Sequence, residues 1–300
     1  MVAAVIILYL PELSLLDRLF QSVTGQVDAI IAVDNTPGPS TEVRSFLDSL
    51  PHPISYIPLG DNMGIATAQN IGIKASISEG YSHVLLLDQD SALPPKMVES
   101  LLSSEAELLR EGKEVAVVGP QFIDEKSGRP SRAIRHRYFG IQKLYLDPNS
   151  TTPVETDHII ASGSLMRTSV FQRVGPMRDD LFIDWVDIEW GMRARSMGYE
   201  SYYIPSVVMK HSVGDSVATV YGRDIHLHND LRNYYMLRNA VYLCRLKSMG
   251  WRWKINFAPR IPCYLVLYPF LSGSKLKNFK MLLRAIWDGL IGRLGRLDEK

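Results

Sequence analysis

Two aspartates stand one residue apart where an apolar run ends, in the segment SHVLLLDQD at 82–90. Carboxylates this close repel each other and lose solvation unless a cation neutralises them. Hard divalent cations are held in proteins by one or two carboxylates together with the oxygens of a substrate phosphate. Asp88 and Asp90 therefore indicate Mg²⁺ or Mn²⁺ held against a diphosphate, although the tripeptide alone would also fit a solvated turn.

Two further polar clusters follow apolar runs in the same half of the chain. Asp34 and Asn35 end the run DAIIAVDN, and DNMGIATAQNIGIKA places Asn62 and Gly64 just before a helical pattern. A helix N-terminus entered through glycine suits sugar and phosphate contacts, and a capped helix with a glycine entry is the structural alternative. The segment is neither a dinucleotide fingerprint nor a P-loop.

Strand-like apolar runs alternate with helical patterns through the first half of the chain. This order is typical of βαβ units around a parallel sheet. The predicted strands are VAAVIILYL, DAIIAVDN, ISYIPLG, SHVLLLDQD and EVAVVGPQF. The predicted helices between them lie near Leu13 to Thr24, Thr41 to Leu50, Gly64 to Gly80 and Pro95 to Glu111. Ligands of open parallel sheets bind beyond the carboxyl ends of the strands, so we expect the three polar clusters to meet on one rim.

The second half of the chain is less regular, and it contains no internal repeat. A polar, basic stretch at 124–138 precedes a predicted strand HIIASGSLM. A helical pattern VDIEWGMRARSMGYE and a strand SYYIPSVVMKH follow. We expect a helix near Asn229 to Gly250, then an apolar run interrupted by prolines and a final basic helix.

The order of these motifs resembles the family 2 inverting glycosyltransferases. The matching residues are YLP at 9–11, VDN at 33–35, NMGIATAQNIG at 62–72, DQD at 88–90, ASGSLM at 161–166, LFIDWVDIEWGMRARSMGY at 181–199 and MKHSVGD at 209–215. The chain departs from the family pattern at Leu10, where asparagine is common, and at Val186, where the family has glutamate. The resemblance covers roughly residues 1 to 245. It implies an α/β GT-A fold, Rossmann-like, with a mixed, mostly parallel sheet flanked by helices.

The resemblance implies a nucleotide-sugar site and a cation site. The donor nucleotide sugar would be bound by Tyr9, Pro11, Asp34, Asn62, Gly64, Asn70, Asp88, Gln89 and Asp90. Mg²⁺ or Mn²⁺ would be held by Asp90 and His211, with Asp88. Asp34 would accept a hydrogen bond from the pyrimidine ring N–H, which uracil and thymine share.

Inverting transfer needs a general base for the acceptor hydroxyl. The resemblance assigns that role to Asp187, with Asp184 and Glu189 as competitors. Helical geometry places Asp184 and Asp187 on one face and turns Glu189 away. Asp184 would alternatively be the N-cap of this helix. The expected acceptor-side residues are Ser162, Gly163, Asp184, Trp185 and Glu189.

Finer motifs resemble the rhamnosyltransferase branch of the family. These are DQD, WVDIEW at 185–190 and LRNYYMLRN at 231–239. The resemblance implies transfer of L-rhamnose from dTDP-L-rhamnose to a lipid-linked glycan in the synthesis of bacterial O-antigen, capsule or cell wall. The alternatives are a UDP-hexose-dependent transferase of the same fold, a sugar-nucleotide nucleotidyltransferase, and a non-catalytic carbohydrate-binding or scaffold protein.

The charge is distributed unevenly along the chain. Residues 245–300 carry twelve Lys or Arg and three acidic residues, a net charge of +9, while the other 244 residues carry −8. We therefore expect a transferase domain at 1–245 and a basic amphipathic helical extension at 246–300. Apolar residues from Leu276 onward recur at helical spacing between cations, which favours a membrane surface. Packing of that helix on the main domain or on a second subunit is the alternative.

Composition limits the remaining function classes. A hydrophobic content of 46% and a charged content of 22% favour a globular protein over a disordered or polytopic membrane protein. No recognised nucleic-acid motif accompanies the basic segment, so we expect no nucleic-acid partner. Only two cysteines are present, and MVAAVIILYL lacks the features of a signal peptide. We expect a cytoplasmic protein at the inner face of the cytoplasmic membrane, with an oligomer possible.

Overall fold

A computed structural model describes the backbone of residues 1–124, 128–211, 216–220, 223–227, 230–271 and 275–297, with their side chains except those at 211, 216–220, 223–227, 267 and 269–271. Within these ranges the strands are β1 Val2–Leu8, β2 Ala29–Asp34, β3 Ser55–Pro58, β4 His83–Asp88, β5 Val115–Asp124, β6 Ala133–His136, β7 Ile141–Leu144, β8 Val154–Thr156, β9 Leu165–Arg167, β10 Glu200–His211, β11 Ser216–Val220 and β12 Arg223–Leu227.

The helices in the same ranges surround the sheet and continue beyond it. They are α1 Leu13–Val23, α2 Thr41–Asp48, α3 Ile65–Ser78, α4 Met97–Arg110, α5 Thr168–Val174, α6 Val186–Ser196, α7 Asp230–Leu243, α8 Gly250–Phe257, α9 Ile261–Leu271 and α10 Lys275–Ile291. Short 3₁₀ turns occupy Asp179–Leu181 and Ala258–Arg260.

The main sheet is mixed and mostly parallel, as predicted. In the described part of the chain its strand order is β3-β2-β1-β4-β9-β5-β10-β8. The four strands β1 to β4 run parallel, and β10 runs parallel to β5. The short strand β9 lies antiparallel between β4 and β5, and β8 is antiparallel to β10. The carboxyl ends of the first four strands therefore share one rim.

Both faces of the sheet are covered, which explains the continuous apolar runs. In β1, Ala3, Val5 and Ile7 belong to a core cluster shared with α3. The alternate residues of β1, such as Ala4 and Ile6, belong to a second cluster shared with α1 and α4. This division follows from the alternation of side chains along a strand.

The predicted strand HIIASGSLM is wrong over most of its length. Only Leu165 and Met166 of that segment enter β9, and residues 157–164 are irregular. Gly163 has a φ of +82°, and a Cβ there would lie 2.9 Å from the ring of Pro120, so the chain turns at a place where it closely approaches β5. The apolar character of the segment serves the core instead, since Ile159 is buried.

The helices after the sheet are held by their own apolar cluster. Leu282 and Ala285 of α10 pack with Tyr234 and Val241 of α7. Gly289 allows the two helices to approach closely, because a Cβ there would lie 2.5 Å from the Arg238 carbonyl oxygen. The boundary predicted near residue 245 falls in the connection between α7 and α8.

None of the helices in the described ranges combines the length and the apolar character that a membrane span requires.

The contact between α3 and β1 gives a stability prediction. A Cβ at Gly72 would lie 2.3 Å from the branched side chain of Val5. We expect Gly72→Ala to lower the free energy of unfolding by about 1–3 kcal/mol, although alanine is the better helix former. Urea denaturation would measure the loss. The exposed Lys74→Ala in the same helix is the control, and equal stability of both variants would contradict the close contact.

Candidate active site

Two of the predicted carboxylates flank the end of β1. In the strand register, Asp34 of β2 pairs with Leu8, and Asp88 of β4 pairs with Ile7. The polar ends of β2 and β4 therefore lie on either side of the same strand. The predicted common rim exists, and it brings together residues 54 positions apart in the sequence.

Asp34 is held rigidly at this rim. It is buried, and its two carboxylate oxygens accept hydrogen bonds from the Tyr56 hydroxyl at 2.7 Å and from the Thr36 backbone N–H at 2.9 Å. Burial, reinforced by the bond to Asp34, raises the pKa of Tyr56 to about 12, so its hydroxyl stays a donor. Each carboxylate oxygen has a second lone pair, so Asp34 keeps the capacity to accept an N–H from a ligand.

Asn62 is tied to the end of β2 through Asn35. The Asn35 side-chain amide donates to Asn62 Oδ1 at 3.0 Å, and Asn35 Oδ1 accepts the Met63 N–H at 2.7 Å. Gly64, at φ +86°, is the N-cap residue of α3, and a Cβ there would lie 2.7 Å from Phe182. Gly64 therefore serves a close backbone approach, and it places Asn62 on the rim.

The turn after β1 is fastened to the D-Q-D segment. The Gln89 side chain accepts the Tyr9 N–H at 2.7 Å and donates to the Tyr9 carbonyl at 3.1 Å. The amide of Gln89 is thus used in placing the turn. Leu10 follows with a φ of +46°, and Pro11 is half-buried. The side chain of Tyr9 remains exposed at this edge.

The D-Q-D segment also contacts the end of β10. Asp88 and Asp90 are half-buried, and the Arg18 guanidinium donates to the Asp90 carbonyl at 3.1 Å. An isolated bridge joins Ala92 to Lys210. This bridge brings the backbone of residue 211 next to the segment, whereas the side chain of His211 lies outside the described residues.

The residues at this rim fit a hard divalent cation. Among the described side chains, which do not include His211, no three His, Cys, Asp or Glu residues are grouped to hold a metal ion. The donors that are described, the carboxylates of Asp88 and Asp90, are the oxygen ligands that Mg²⁺ and Mn²⁺ prefer. The negative field of Asp88 already acts on a neighbouring carboxyl, Asp187, so the site has charge for a cation to neutralise.

Asp187 lies in the first turn of α6 and faces the same rim. Its carboxylate accepts hydrogen bonds from the Ile188 N–H at 2.8 Å and from the Ala161 N–H at 3.2 Å. Burial, together with the carboxylates of Asp88 and Asp184, raises the pKa of Asp187 to about 6, and the two hydrogen bonds oppose this rise. A carboxyl with this pKa is ionised at neutral pH and remains a useful base.

The loop before α6 adopts an unusual backbone. Phe182, Asp184 and Trp185 have positive φ values of 66°, 61° and 68°. Trp185 occupies the N-cap position, and no side chain caps the helix, so the predicted N-cap role of Asp184 is wrong. The Asp184 carboxylate instead forms an ion pair with Arg232 of α7 at 3.1 Å.

Polar residues of α7 hold this loop in place. The buried Asn239 side chain donates to the carbonyls of Leu181 at 2.9 Å and Ile183 at 2.8 Å, and the Arg238 guanidinium donates to Leu181 at 3.0 Å. The Trp185 indole N–H donates to the Met236 carbonyl at 2.9 Å. The roles of Arg232, Arg238 and Asn239 were not predicted from the sequence. Their signal was the repeated Arg-Asn pair inside a helical pattern.

Two predicted site residues form hydrogen bonds or ion pairs within the protein. The buried Asn70 amide donates to the Met177 carbonyl and to Asp179, and its oxygen accepts the Met177 N–H. The buried Glu189 carboxylate pairs with Arg193 at 3.0 Å, on the side of α6 away from Asp187. These hydrogen bonds and this ion pair use both side chains in bracing α3 and α6.

Ser162 and Gly163 support the site from the irregular segment 157–164. The buried Ser162 hydroxyl lies 2.6 Å from the hydroxyl of Ser91, which follows Asp90. Gly163 donates its N–H to the Leu86 carbonyl of β4 at 2.8 Å. The segment is therefore fixed to β4, and it presents the Ala161 N–H to Asp187.

The sequence is similar to known glycosyltransferases. A family model described as Glycosyl transferase family 2 matches residues 4–175. The dTDP-rhamnosyl transferase RfbF of Shigella flexneri is 30% identical over 292 residues, which cover 97% of this chain and 96% of RfbF.

Solved structures share the fold at low sequence identity. S. aureus TarS 1-349 in complex with UDP-GlcNAc has a TM-score of 0.59 and 12% identity, covering 96% of this chain and 80% of that chain. The mannosyltransferase PcManGT of Pyrobaculum calidifontis, in complex with GDP-Man and Mn²⁺, has a TM-score of 0.54 and 14% identity, covering 99% of this chain and 76% of that chain. The predicted GT-A fold class is confirmed.

The half-buried carboxyl of Asp187 should cost stability when it is ionised. Its pKa is raised in the folded state, so stability is greater at low pH and falls as pH rises from the ordinary value of 3.8 through about 6. We expect Asp187→Asn to raise the free energy of unfolding by about 1–2 kcal/mol at alkaline pH, after allowance for partial exposure, and to have little effect below the window. Urea denaturation at several pH values measures this, with the exposed Glu99→Gln as control. A gain independent of pH would contradict the assignment.

Proposed function

The chain belongs to glycosyl transferase family 2, and we propose that it transfers L-rhamnose from dTDP-L-rhamnose, with inversion, onto a lipid-linked glycan of bacterial surface polysaccharide synthesis. The observation that carries the proposal is the placement of Asp187 at the same rim as Asp88, at the carboxyl ends of the strands. The relative RfbF, a dTDP-rhamnosyl transferase that aligns over nearly the whole chain, supports the choice of donor.

Asp187 is the proposed general base. The acceptor hydroxyl oxygen forms a bond to the anomeric carbon as the bond from that carbon to the nucleotide phosphate breaks. The acceptor proton passes to the Asp187 carboxylate, and the nucleoside diphosphate leaves with the electron pair. The N–H groups of Ala161 and Ile188 orient the carboxylate, and its pKa of about 6 leaves it ionised at neutral pH.

The donor nucleotide is proposed to lie along the rim formed by Tyr9, Pro11, Asp34, Asn62 and the D-Q-D segment. Asp34 would accept the pyrimidine N–H, since its oxygens retain lone pairs beside their bonds to Tyr56 and Thr36. Gln89 would act indirectly, because its amide fixes the turn that carries Tyr9. On the acceptor side, Asp184 and Trp185 border Asp187.

Mg²⁺ or Mn²⁺ is the proposed cofactor, with Asp90, His211 and Asp88 as the residues that would hold it. When bound, the cation would neutralise charge on the departing diphosphate. The carboxylate donors fit such an ion, and the structural relative PcManGT contains Mn²⁺ together with GDP-Man.

A UDP-hexose-dependent transferase of the same fold is the second candidate. It is supported by the remaining lone pairs of the Asp34 carboxylate, which would accept the same N–H from uracil as from thymine. A donor panel separates the two. A non-catalytic carbohydrate-binding protein would have little need for a buried carboxylate whose ionisation lowers stability.

Helix α10 supports a proposed location at the inner face of the cytoplasmic membrane. One face packs on α7, while the opposite face, here named the α10 outer face, is exposed and apolar. It consists of Leu276, Phe279, Leu283, Trp287, Leu290 and Ile291. The flanking cations Lys277 and Lys280 are exposed and would favour anionic lipid. A second subunit is the alternative occupant of the α10 outer face. We also propose a division of the chain into a transferase domain at 1–245 and a basic extension at 246–300.

Replacing the base should remove turnover and spare donor binding. We expect Asp187→Asn to lower kcat by about a thousandfold with an unchanged Kd for dTDP-rhamnose, because only the proton acceptor is lost. Wild-type kcat should fall about tenfold for each pH unit below about 6. Nucleotide release in the presence of acceptor measures both. Asp184→Asn is the comparison, and a larger loss there than in Asp187→Asn would transfer the role to Asp184.

Donor binding should depend on the divalent cation through the D-Q-D segment. Calorimetric titration of dTDP-rhamnose and of UDP-sugars, with and without Mn²⁺ or Mg²⁺, should show binding strengthened by the metal and favouring dTDP-rhamnose. We expect Asp90→Asn and His211→Ala to reduce the effect of metal on Kd by about tenfold or more. The exposed Glu79→Gln is the control. A wild-type metal response in both variants would refute these ligands.

A further inference from the structure

We propose that the β6–β7 hairpin and α8 together form a surface that docks on an anionic phospholipid bilayer beside the loop at 182–185, which precedes α6. This surface, here named the hairpin–α8 surface, consists of Tyr138, Phe139, Trp251 and Ile255 with their neighbouring cations. The inference rests on the proposed lipid-linked acceptor, and it deepens that proposal by stating where the bilayer lies relative to Asp187.

The hairpin presents aromatic rings at its tip. Strands β6 and β7 pair from Ala133 with Leu144 to His136 with Ile141, so residues 137–140 form the connecting turn. The Arg137 N–H donates to the Gly140 carbonyl at 3.1 Å and closes this turn. Tyr138 is 51% exposed and Phe139 is 100% exposed. A phenylalanine held this far out of the core has no packing role in the described chain.

Helix α8 continues the same surface. Trp253 and Phe257 on one side of the helix are buried, while Trp251 and Ile255 on the opposite side are exposed. The ring centroids of Trp251 and Tyr138 are 6.1 Å apart. The Arg252 guanidinium lies 4.1 Å from the centre of the Tyr138 ring.

A hydrogen bond joins the two elements of the surface. The Asn256 side-chain amide donates to the Arg137 carbonyl at 2.9 Å. The hairpin tip and α8 are therefore a single structural unit, and their exposed rings form one patch.

The hairpin and α8 themselves carry charge of a single sign. Residues 128–146 and α8 contain no aspartate or glutamate. Arg132, Arg137, Lys143 and Arg252 are all exposed there. The acidic partners of β6, Glu155 paired with Arg135 and Asp157 paired with His136, are half-buried and buried, respectively. Exposed aromatic rings combined with exposed cations are complementary to the headgroup region of an anionic bilayer, where rings enter the interface and cations meet phosphate.

The buried side of α8 packs directly on the loop that precedes α6. Trp185, which precedes α6, makes edge-to-face contacts with Trp253 at 5.8 Å and with Phe257 at 4.8 Å between ring centroids. The hairpin–α8 surface is thus separated from Trp185 by one helix, about 10 Å thick. A sugar attached to a membrane lipid stays near the headgroups, and a bilayer on this surface would hold that sugar close to Asp187.

Sugar stacking is the competing use of exposed aromatic rings. A glycan subsite would place the rings along a cleft and would need hydrogen-bonding side chains at their edges. The ring of Phe139 is instead fully exposed at a turn, and the exposed charged groups of the hairpin and α8 are all cationic. These observations favour the bilayer.

Vesicle binding tests the proposal. The probe is the full chain with vesicles of phosphatidylcholine, alone or mixed with phosphatidylglycerol, measured by co-sedimentation. We expect the double variant Phe139→Ser with Trp251→Ser to lose about tenfold or more in binding to the mixed vesicles, and Lys143→Glu to lose binding to anionic vesicles selectively. Met197→Ser, which removes an exposed apolar side chain elsewhere, is the matched control and should bind like wild type.

Two further measurements keep the outcomes distinct. The double variant Phe279→Ser with Trp287→Ser tests the α10 outer face separately, and transfer to a water-soluble acceptor tests the proposed activity without a bilayer. Equal vesicle binding by wild type and the hairpin–α8 double variant would overturn the proposal, whatever the activity. Unchanged vesicle binding with a raised KM for the soluble acceptor would assign the surface to glycan instead. Absence of transfer by wild type would refute the proposed function alone.

Discussion

The site depends on holding carboxylates together against their mutual repulsion. Asp187 is half-buried near Asp88, and the loss of solvation and the neighbouring negative charge raise its pKa to about 6. The chain offsets this cost with two backbone N–H donors, one from α6 and one from the irregular segment 157–164. That segment is in turn fixed to β4. The sheet therefore supplies one carboxylate and also supports the position of the other.

A second cost lies in the backbone before α6. Three residues other than glycine have positive φ within the segment 182–185, a conformation that costs about 1–2 kcal/mol for each residue. Asn239 and Arg238 of α7 offset this cost by binding the loop carbonyls, and Arg232 pairs with Asp184. Helix α7 follows the sheet in the sequence but acts as part of the framework of the candidate site. The same helix is covered by α10, so the basic extension and the loop share one support.

The placement of α8 connects this framework to the proposed environment. Its inner aromatic side chains pack on Trp185, and its outer ones form a cationic, aromatic surface with the β6–β7 hairpin. Because α8 contacts Trp185 on one side and would contact the bilayer on the other, its thickness would set the distance between the bilayer and Asp187, the proposed base. The GT-A sheet is common to structural relatives of 12–14% identity.

Most of the sheet and the position of the D-Q-D segment at a strand end could be predicted from the sequence, because strand periodicity and buried runs are local properties of the chain. The candidate base, Asp187, was proposed from the resemblance in motif order. Tertiary structure decided which polar residues reach the rim. Asn70 and Asp88 were both predicted to bind the donor. The Asn70 side-chain amide instead forms hydrogen bonds with residues 177–179. The apolar segment 158–164 is core without being a strand, and Asp184 is an ion-pair partner and not a cap. Such outcomes depend on partners distant in sequence, since burial, hydrogen-bond satisfaction and the pKa of Asp187 are properties of the packed neighbourhood and not of any local pattern.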